Sequence, residues 1–302
     1  MEKIRAPRNR TLTCAPEEMA SLAPQLVRLD RPVRLEEVEG RVIHQDFFEA
    51  ARYLPKAVAD LVVLDPPYNL SKNFHGHIFR GKQTEEYACY FSQILDAVLP
   101  LLKPDGTLYV CSDWRTSMVI APLLEERLQV RNRITWEREK GRGARTNWKN
   151  NSEDIWFCTR SDDYVFNVDA VKLKRRVIAP YRDADGRPRD WAEGEDGNYR
   201  LTHPSNLWTD ITIPFWSMPE NTDHPTQKPE KLIAKLVLAS SHPDGVILDP
   251  FLGSGTTAVV ARKLGRRFVG VEQNLEYCCW ALKRLALAER DVSIPGYADG
   301  CF

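Results

Sequence analysis

Two short stretches constrain this chain more than its composition does: DLVVLDPPYN at 60–69 and VILDPFLGSGTT at 246–257. Each is an apolar run of strand character that stops at an acid and turns sharply. That pattern belongs to an open α/β sheet whose strand ends face a ligand crevice. In the second stretch two glycines spaced G-x-G let the backbone approach a ligand, and a helix, TTAVVARKL, starts directly afterwards. Glu272 ends the next strand, RFVGVE, at the spacing where an acid accepts hydrogen bonds from ribose hydroxyls. Together these features imply an adenosine-type cofactor. A phosphate-cradling loop is disfavoured, because the Lys of G-x-x-x-x-G-K-[ST] is missing. A dinucleotide stays open at this point, since Ala258 holds the third position of G-x-G-x-x-G.

The intervening chain keeps the same alternation. RVIHQD and a helical FFEAARYL precede the first stretch; a helix over 87–102, the turn at 103–106 and the strand TLYVCS follow it. A helix over 116–127 and the strand candidates VRNRITW and EDIWFCT extend this half. The helix EKLIAKLVLASS and a last helix beginning near Tyr277 flank the second stretch. Residues 171–215 lose periodicity and are rich in Arg, Asp, Gly, Pro and Trp, as expected of an inserted recognition region and equally of an ordinary surface excursion. We therefore expect an N-terminal arm over 1–40, with a helix over 16–29, and a catalytic half over 41–170. The insert over 171–215 and a cofactor-binding half over 216–302 complete the expected division.

Composition bounds the setting. The chain has 302 residues, 43% of them hydrophobic, enough for one large α/β domain with inserts. No apolar run approaches the roughly 20 residues that span a bilayer, and the first residues carry no secretory signal, so a cytoplasmic protein with no membrane partner is expected. Seven scattered cysteines form no C-x-x-C pair, and the histidines show no ligand spacing beyond the 75/77 pair, so no metal is expected. The 42 basic and 42 acidic residues cancel, so any attraction to a nucleic acid must be local.

The turn at Asp65, Pro66, Pro67 and Tyr68 supplies an acid, a rigid bend with free carbonyls and an aromatic ring at a strand's carboxyl end. The lone pair of a base amino group is delocalised into the ring. Acceptors that hold the amino hydrogens turn it toward a methyl donor. Asp65 and the Pro66 carbonyl are placed to do that, and Tyr68 to stack on a base taken out of the duplex.

On these residues the chain resembles the amino-methyltransferase family of DNA modification enzymes. That family's catalytic motif is D/N/S-P-P-Y/F, and its cofactor motif is the F-x-G-x-G found here from Phe251 to Gly255. The resemblance implies S-adenosyl-L-methionine rather than a dinucleotide. A catalytic motif ahead of the cofactor motif is the order of the β-class, with its target-recognition region between the halves. The implied fold is the permuted, Rossmann-like methyltransferase fold, a mixed and mostly parallel sheet with helices on both faces. His224 to Pro229, HPTQKP, is similar to a signature contributing to the cofactor pocket, which brings in Thr226 and Lys228. Asp46 and Phe47 match the short motif used near the cofactor adenine. With Asp249, Phe251, Gly253, Ser254, Gly255, Thr256 and Glu272 they form the implied cofactor-binding set. The resemblance spans about Arg41 to Leu287.

Within the family, an initial Asp rather than Ser favours adenine N6 over cytosine N4 as the target. Carbon-5 cytosine chemistry needs a Cys nucleophile, typically after a proline, and no cysteine here follows one. A silent DNA-binding protein with this fold is the reading from another class, and the intact motifs argue against it. An RNA or protein methyltransferase with a related N-P-P-Y turn is a minor alternative; the insert favours duplex DNA. Arg138, Lys140, Arg142, Arg145 and Lys149, and a second cluster of Lys174, Arg175 and Arg176, are the expected DNA contacts. A cognate restriction endonuclease and a homodimer are compatible with the class, although no residue specifies either.

Overall fold

The computed structural model describes residues 6–74, 77–138, 145–178, 181–194 and 197–302. In the arm, α1 (Pro16–Leu22) stops short of the expected helix over 16–29, because Pro24 lacks the N–H that continues an α-helix and the chain tightens into a 3-10 turn. After α2 (Leu35–Val38) come β1 (Arg41–His44), α3 (Phe47–Ala50), β2 (Ala59–Leu64) and the hairpin β3 (Lys72–Phe74) and β4 (His77–Phe79). Next are α4 (Thr84–Val98), β5 (Leu102–Ser112), α5 (Trp114–Arg127), β6 (Gln129–Glu137) and β7 (Ser152–Thr159). The insert supplies β8 (Leu173–Arg176), β9 (Tyr199–Thr202) and β10 (Leu207–Trp208). The chain closes with α6 (Glu230–Ser240), β11 (Val246–Asp249), α7 (Thr256–Lys263), β12 (Arg267–Glu272) and α8 (Leu275–Ala288).

The main sheet has eight strands in the order β1-β12-β11-β2-β5-β7-β6-β10. β7 alone runs against its neighbours; every other pairing in this sheet is parallel. Mixed, mostly parallel and covered by helices on both sides, this is the expected α/β architecture. Alternation along the strands builds two cores. Leu61 and Val63 of β2, Tyr109 and Cys111 of β5 and Ile247 of β11 face α6, α7 and α8. Val62 and Leu64, Leu108 and Val110, and Val246 and Leu248 face α3, α4 and α5. Buried strands of this kind read as continuous apolar runs because each face meets a helix layer.

The connections diverge at the centre. From β11 the chain moves outward to β12, and from β2 it moves the other way to β5, so the order reverses between β11 and β2. A crevice opens beyond the carboxyl ends of such a pair. Asp249 ends β11, and Asp65 follows β2 directly.

Two parts of the chain depart from the expected division. The arm is joined to the fold: Val27 bonds Val42 and His44 at the edge of β1, and Cys14 packs with Tyr277, Cys279 and Trp280. The insert is less separate than its loss of periodicity suggests. β8 and β9 form their own hairpin, but β10 joins the main sheet beside β6, and buried Trp136 donates to the Ile211 carbonyl at 2.9 Å.

Candidate active site

Residues that close strands converge on one cavity of about 430 Å³. Its wall takes Asp46 after β1, Asp65 to Tyr68 after β2, Asp113 after β5, and Phe251 and Gly253 after β11, with Glu272 at the end of β12. Because β7 runs backwards, its first residues lie at the same edge, and Glu153 enters the wall beside them. Asp113 follows the grammar of a strand ended by an acid and was readable in TLYVCSD. Glu153 gave only a weak signal, two acids heading an otherwise apolar strand.

The turn after β2 is held from several sides. Tyr87 donates to the Pro67 carbonyl at 3.0 Å, the Asn69 N–H donates to Thr116 Oγ1 at 3.1 Å, and the Asn69 side chain both donates to and accepts from the backbone of Lys82. The carbonyl of buried Pro66 accepts no hydrogen bond among the described residues. A buried carbonyl left so, at a cavity wall, is an acceptor awaiting a donor.

Asp65 sits in a charged cluster. Its Oδ2 accepts from Lys228 Nζ at 2.7 Å and its Oδ1 from the Tyr68 hydroxyl at 3.0 Å. The same hydroxyl lies 3.2 Å from Glu153 Oε2, and Lys228 Nζ lies 3.4 Å from that oxygen. Arg138 pairs with the other Glu153 oxygen. Burial acts to discharge Lys228, but Asp65 and Glu153 outweigh it and hold the ammonium above its ordinary pKa. Burial likewise pushes on Glu153, and there Lys228 and Arg138 prevail, keeping the carboxyl below its usual range. Tyr68 is raised well above the ordinary phenol by burial and by the two carboxylates, so it remains a donor.

The other half of the cavity fits an adenosine group carrying a positive charge. Glu272 Oε2 accepts from the Gly253 N–H and Oε1 from the Asn274 N–H, both at 2.8 Å, and each carboxylate oxygen keeps a further lone pair for a hydroxyl. Phe47 lies 5.8 Å from Phe251, and Phe48, Phe79 and Tyr90 extend an aromatic wall. Asp46 caps α3 through Oδ1 and also lines the cavity. His224 and Thr226 line it from the HPTQKP loop; His224 packs edge-on against Tyr277 at 4.4 Å and lies under Gly253. His224 belongs to the HPTQKP signature expected at the cofactor pocket, whereas Tyr277, Phe48 and Tyr90 carried no assignment in sequence, since only the tertiary contacts bring them to the wall.

Several expected cofactor residues stand elsewhere. Lys228 holds Asp65 instead of the cofactor side. Ser254 and Thr256 turn toward buried Arg284, which donates to the Ser254 carbonyl at 3.0 Å and to Thr256 Oγ1 at 2.9 Å. Gly255 serves helix packing: at φ +87° its absent Cβ would meet Ala281 Cβ at 2.5 Å. Asp249 lies beneath the turn, accepting from the Phe251 N–H at 3.0 Å, and burial pushes its carboxyl up to about 7.

Of the expected DNA contacts, Arg138 is engaged with Glu153 inside the cavity, whereas Arg145, Lys149, Lys174, Arg175 and Arg176 are exposed. Lys140 and Arg142 lie outside the described residues. Trp148, between Arg145 and Lys149, is 93% exposed, while Trp208 is buried and Phe215 and Trp216 are half exposed. No helix among the described residues is long and apolar enough to cross a membrane.

Comparison with known proteins agrees with this geometry. The chain is 31% identical over 264 residues to the DNA adenine methyltransferase YhdJ of Escherichia coli (strain K12), covering 85% of this chain and 86% of that one. It is 30% identical over 251 residues to the type II methyltransferase M.HpaI of Haemophilus parainfluenzae, covering 82% and 74%. Among solved structures, the PvuII DNA methyltransferase (cytosine-N4-specific) matches with a TM-score of 0.60 at 18% identity, over 81% of this chain and 85% of that one. The M1.HpyAVI–SAM complex matches with a TM-score of 0.53 at 24% identity, over 81% and 98%. A family model described as DNA methylase matches residues 59–283, from the start of β2 into α8 and across both turns. The chain therefore belongs to the DNA methylase family.

Proposed function

We propose that the protein transfers a methyl group from S-adenosyl-L-methionine to the N6 amino group of adenine in duplex DNA, at a specific site and on a base flipped out of the helix. The observation that carries this reading is the pairing, in one cavity, of the Asp65 carboxylate and the Pro66 carbonyl, which accepts no hydrogen bond among the described residues, with the Glu272 half of the wall. The cofactor supplies an electrophilic methyl on a sulfonium. Glu272 accepts the ribose hydroxyls, Phe47 and Phe251 flank the adenine, and the acids around the cavity favour a cationic ligand.

Asp65 and the Pro66 carbonyl accept the two amino hydrogens of the target, which turns the nitrogen lone pair toward the methyl group. The Tyr68 ring holds the base, its hydroxyl fixed by Asp65 and Glu153. Asp65 is also an acceptor for the proton that the amino nitrogen loses. The exposed Arg145, Lys149, Lys174, Arg175 and Arg176, with Lys140 and Arg142, contact the phosphates.

The adenine target is favoured by the initial Asp of the catalytic turn and by the adenine methyltransferase among the relatives. The same acceptor pair serves the N4 amino group of cytosine, a second reading favoured by the shared fold of the cytosine-N4-specific PvuII enzyme. Incubation with unmethylated plasmid and radiolabelled S-adenosyl-L-methionine, followed by nucleoside digestion, separates them. Label in N6-methyladenine is the expected result. Label in N4-methylcytosine would replace the target and keep the site, and unlabelled DNA with the cofactor bound would overturn the reading.

A further inference from the structure

We propose that Glu153 is a positioning residue for the transfer: its carboxylate holds the Lys228 ammonium and the Tyr68 hydroxyl, and through them fixes Asp65 in the orientation that accepts an amino hydrogen. The inference rests on the role given to Asp65 above and adds a residue that lies outside both turns.

The stoichiometry of the cluster carries the argument. An ammonium has three N–H donors, and Lys228 meets three acceptors: Asp65 Oδ2 at 2.7 Å, the Tyr68 hydroxyl at 3.1 Å and Glu153 Oε2 at 3.4 Å. Each Asp65 oxygen takes one bond from this framework, from Lys228 or from Tyr68, and keeps a lone pair for the substrate. Two carboxylates and two cations make the cluster neutral, with Arg138 the second cation. Glu153 is 4% exposed and Lys228 7%, so neither charge is tolerated without its partner. Without Glu153, the Lys228 ammonium retains Asp65 as its only carboxylate, and the Tyr68 hydroxyl loses its second acceptor. Both donors then fall on Asp65 alone, and its carboxylate is drawn toward them and away from the amino hydrogen it should accept.

A merely structural ion pair would affect folding alone, whereas a positioning role also moves the rate and its pH dependence. The groups facing Lys228 are Asp65 and Tyr68 after β2, Cys111 on β5 and Glu153 on β7, with Arg138 beyond Glu153. Burial favours the neutral amine and the carboxylates oppose it. Removing one carboxylate lets Lys228 lose its proton at lower pH.

The test uses the full chain and Glu153→Gln, first establishing that the wild type labels a base amino group. At saturating DNA and S-adenosyl-L-methionine, the single-turnover rate of Glu153→Gln is expected to fall about 10²-fold, as for a small misplacement of a reacting group. Cofactor affinity by calorimetry should stay close to wild type, and the basic limb of the rate profile should move to lower pH. In a double-mutant cycle, Glu153→Gln should slow a Lys228→Met protein little further. A wild-type rate with an unmoved basic limb overturns the proposal. So does a variant whose only defect is a lower melting temperature. Should Glu153→Gln not fold, Glu153→Asp carries the test, since it keeps the charge and shortens the reach: slow transfer supports the role and a wild-type rate overturns it. If the wild type labels no DNA, the role of Asp65 falls, and ¹⁵N NMR of the Lys228 ammonium at neutral pH still decides the contact. Faster hydrogen exchange of that ammonium in Glu153→Gln supports it, and unchanged exchange overturns it.

Discussion

Asp65 and the two glycines of the cofactor turn carry distinct duties that single substitutions separate. In the proposed mechanism Asp65→Ala removes an acceptor for the target hydrogens while leaving the Glu272 half of the cavity intact. Transfer should fall by about 10²-fold or more with cofactor binding kept, read by single-turnover labelling alongside calorimetry. Gly253 and Gly255 look equivalent in G-x-G and differ in three dimensions. At Gly253 a Cβ would lie 3.0 Å from His224 Nε2 at a φ of +54°, so Gly253→Ala disturbs the cavity wall and should weaken cofactor binding more than it lowers stability. At Gly255 a Cβ would press on the backbone and side chain of Ala281. Gly255→Ala should therefore cost about 1–3 kcal/mol in urea unfolding, the range of overpacking, because neither helix axis can yield cheaply.

Between elements, one buried cation joins three segments of the cofactor half. Arg284 of α8 donates to Ser254 and Thr256 at the entry of α7 and to Glu230 at the start of α6, the last at 3.0 Å; Lys263 of α7 reaches the same Glu230 at 2.8 Å. The turn between β11 and α7 is thus braced from behind by charge as well as by apolar contacts. Arg284→Met should cost about 3–5 kcal/mol in urea unfolding, the scale for breaking one side of a buried pair. Sequence alone could not reveal this brace. Ser254 and Thr256 look like pocket residues from the spacing of the turn, and only the arrival of α8 turns them inward.

For the molecule as a whole, buried acids set a pH dependence of stability. Burial pushes Asp249 up to about 7, and burial with Glu230 nearby pushes Glu220 to about 7. A carboxyl with a folded pKa above its unfolded value binds more protons when folded, so its penalty is full above about pH 7 and is relieved as pH falls toward the unfolded value. Stability of the cofactor-free protein should therefore rise as pH is lowered from about 8 to 5. Asp249→Asn should flatten that slope in a series of urea melts. A second whole-molecule consequence concerns charge. With a formal net charge of +0, attraction to DNA depends on local clusters, and Lys174, Arg175 and Arg176 stand exposed on β8. Replacing all three with Ala should weaken binding to every sequence and lower the salt slope by up to about 3 in fluorescence anisotropy, near 0.9 for each lost phosphate contact.

Much of the site was legible along the chain because the relevant signals are local. An apolar strand ending in an acid, a rigid turn at Asp65 to Tyr68 and a glycine turn into α7 act over a few residues, and they specify an α/β sheet with two working strand ends. The remainder depends on where distant segments meet. The Lys228–Asp65 contact joins residues 163 apart, and Glu153 reaches the site only because β7 runs against its neighbours. Strand direction within a sheet is set by packing and connection rather than by the apolar pattern, which reads the same either way along a fully buried strand. The sequence by itself thus determined the kind of fold and the two chemical halves of the cavity. The tertiary structure alone decided which charges hold Asp65 and which turn residues serve packing instead of binding, because both follow from contacts between segments that have no neighbours in sequence.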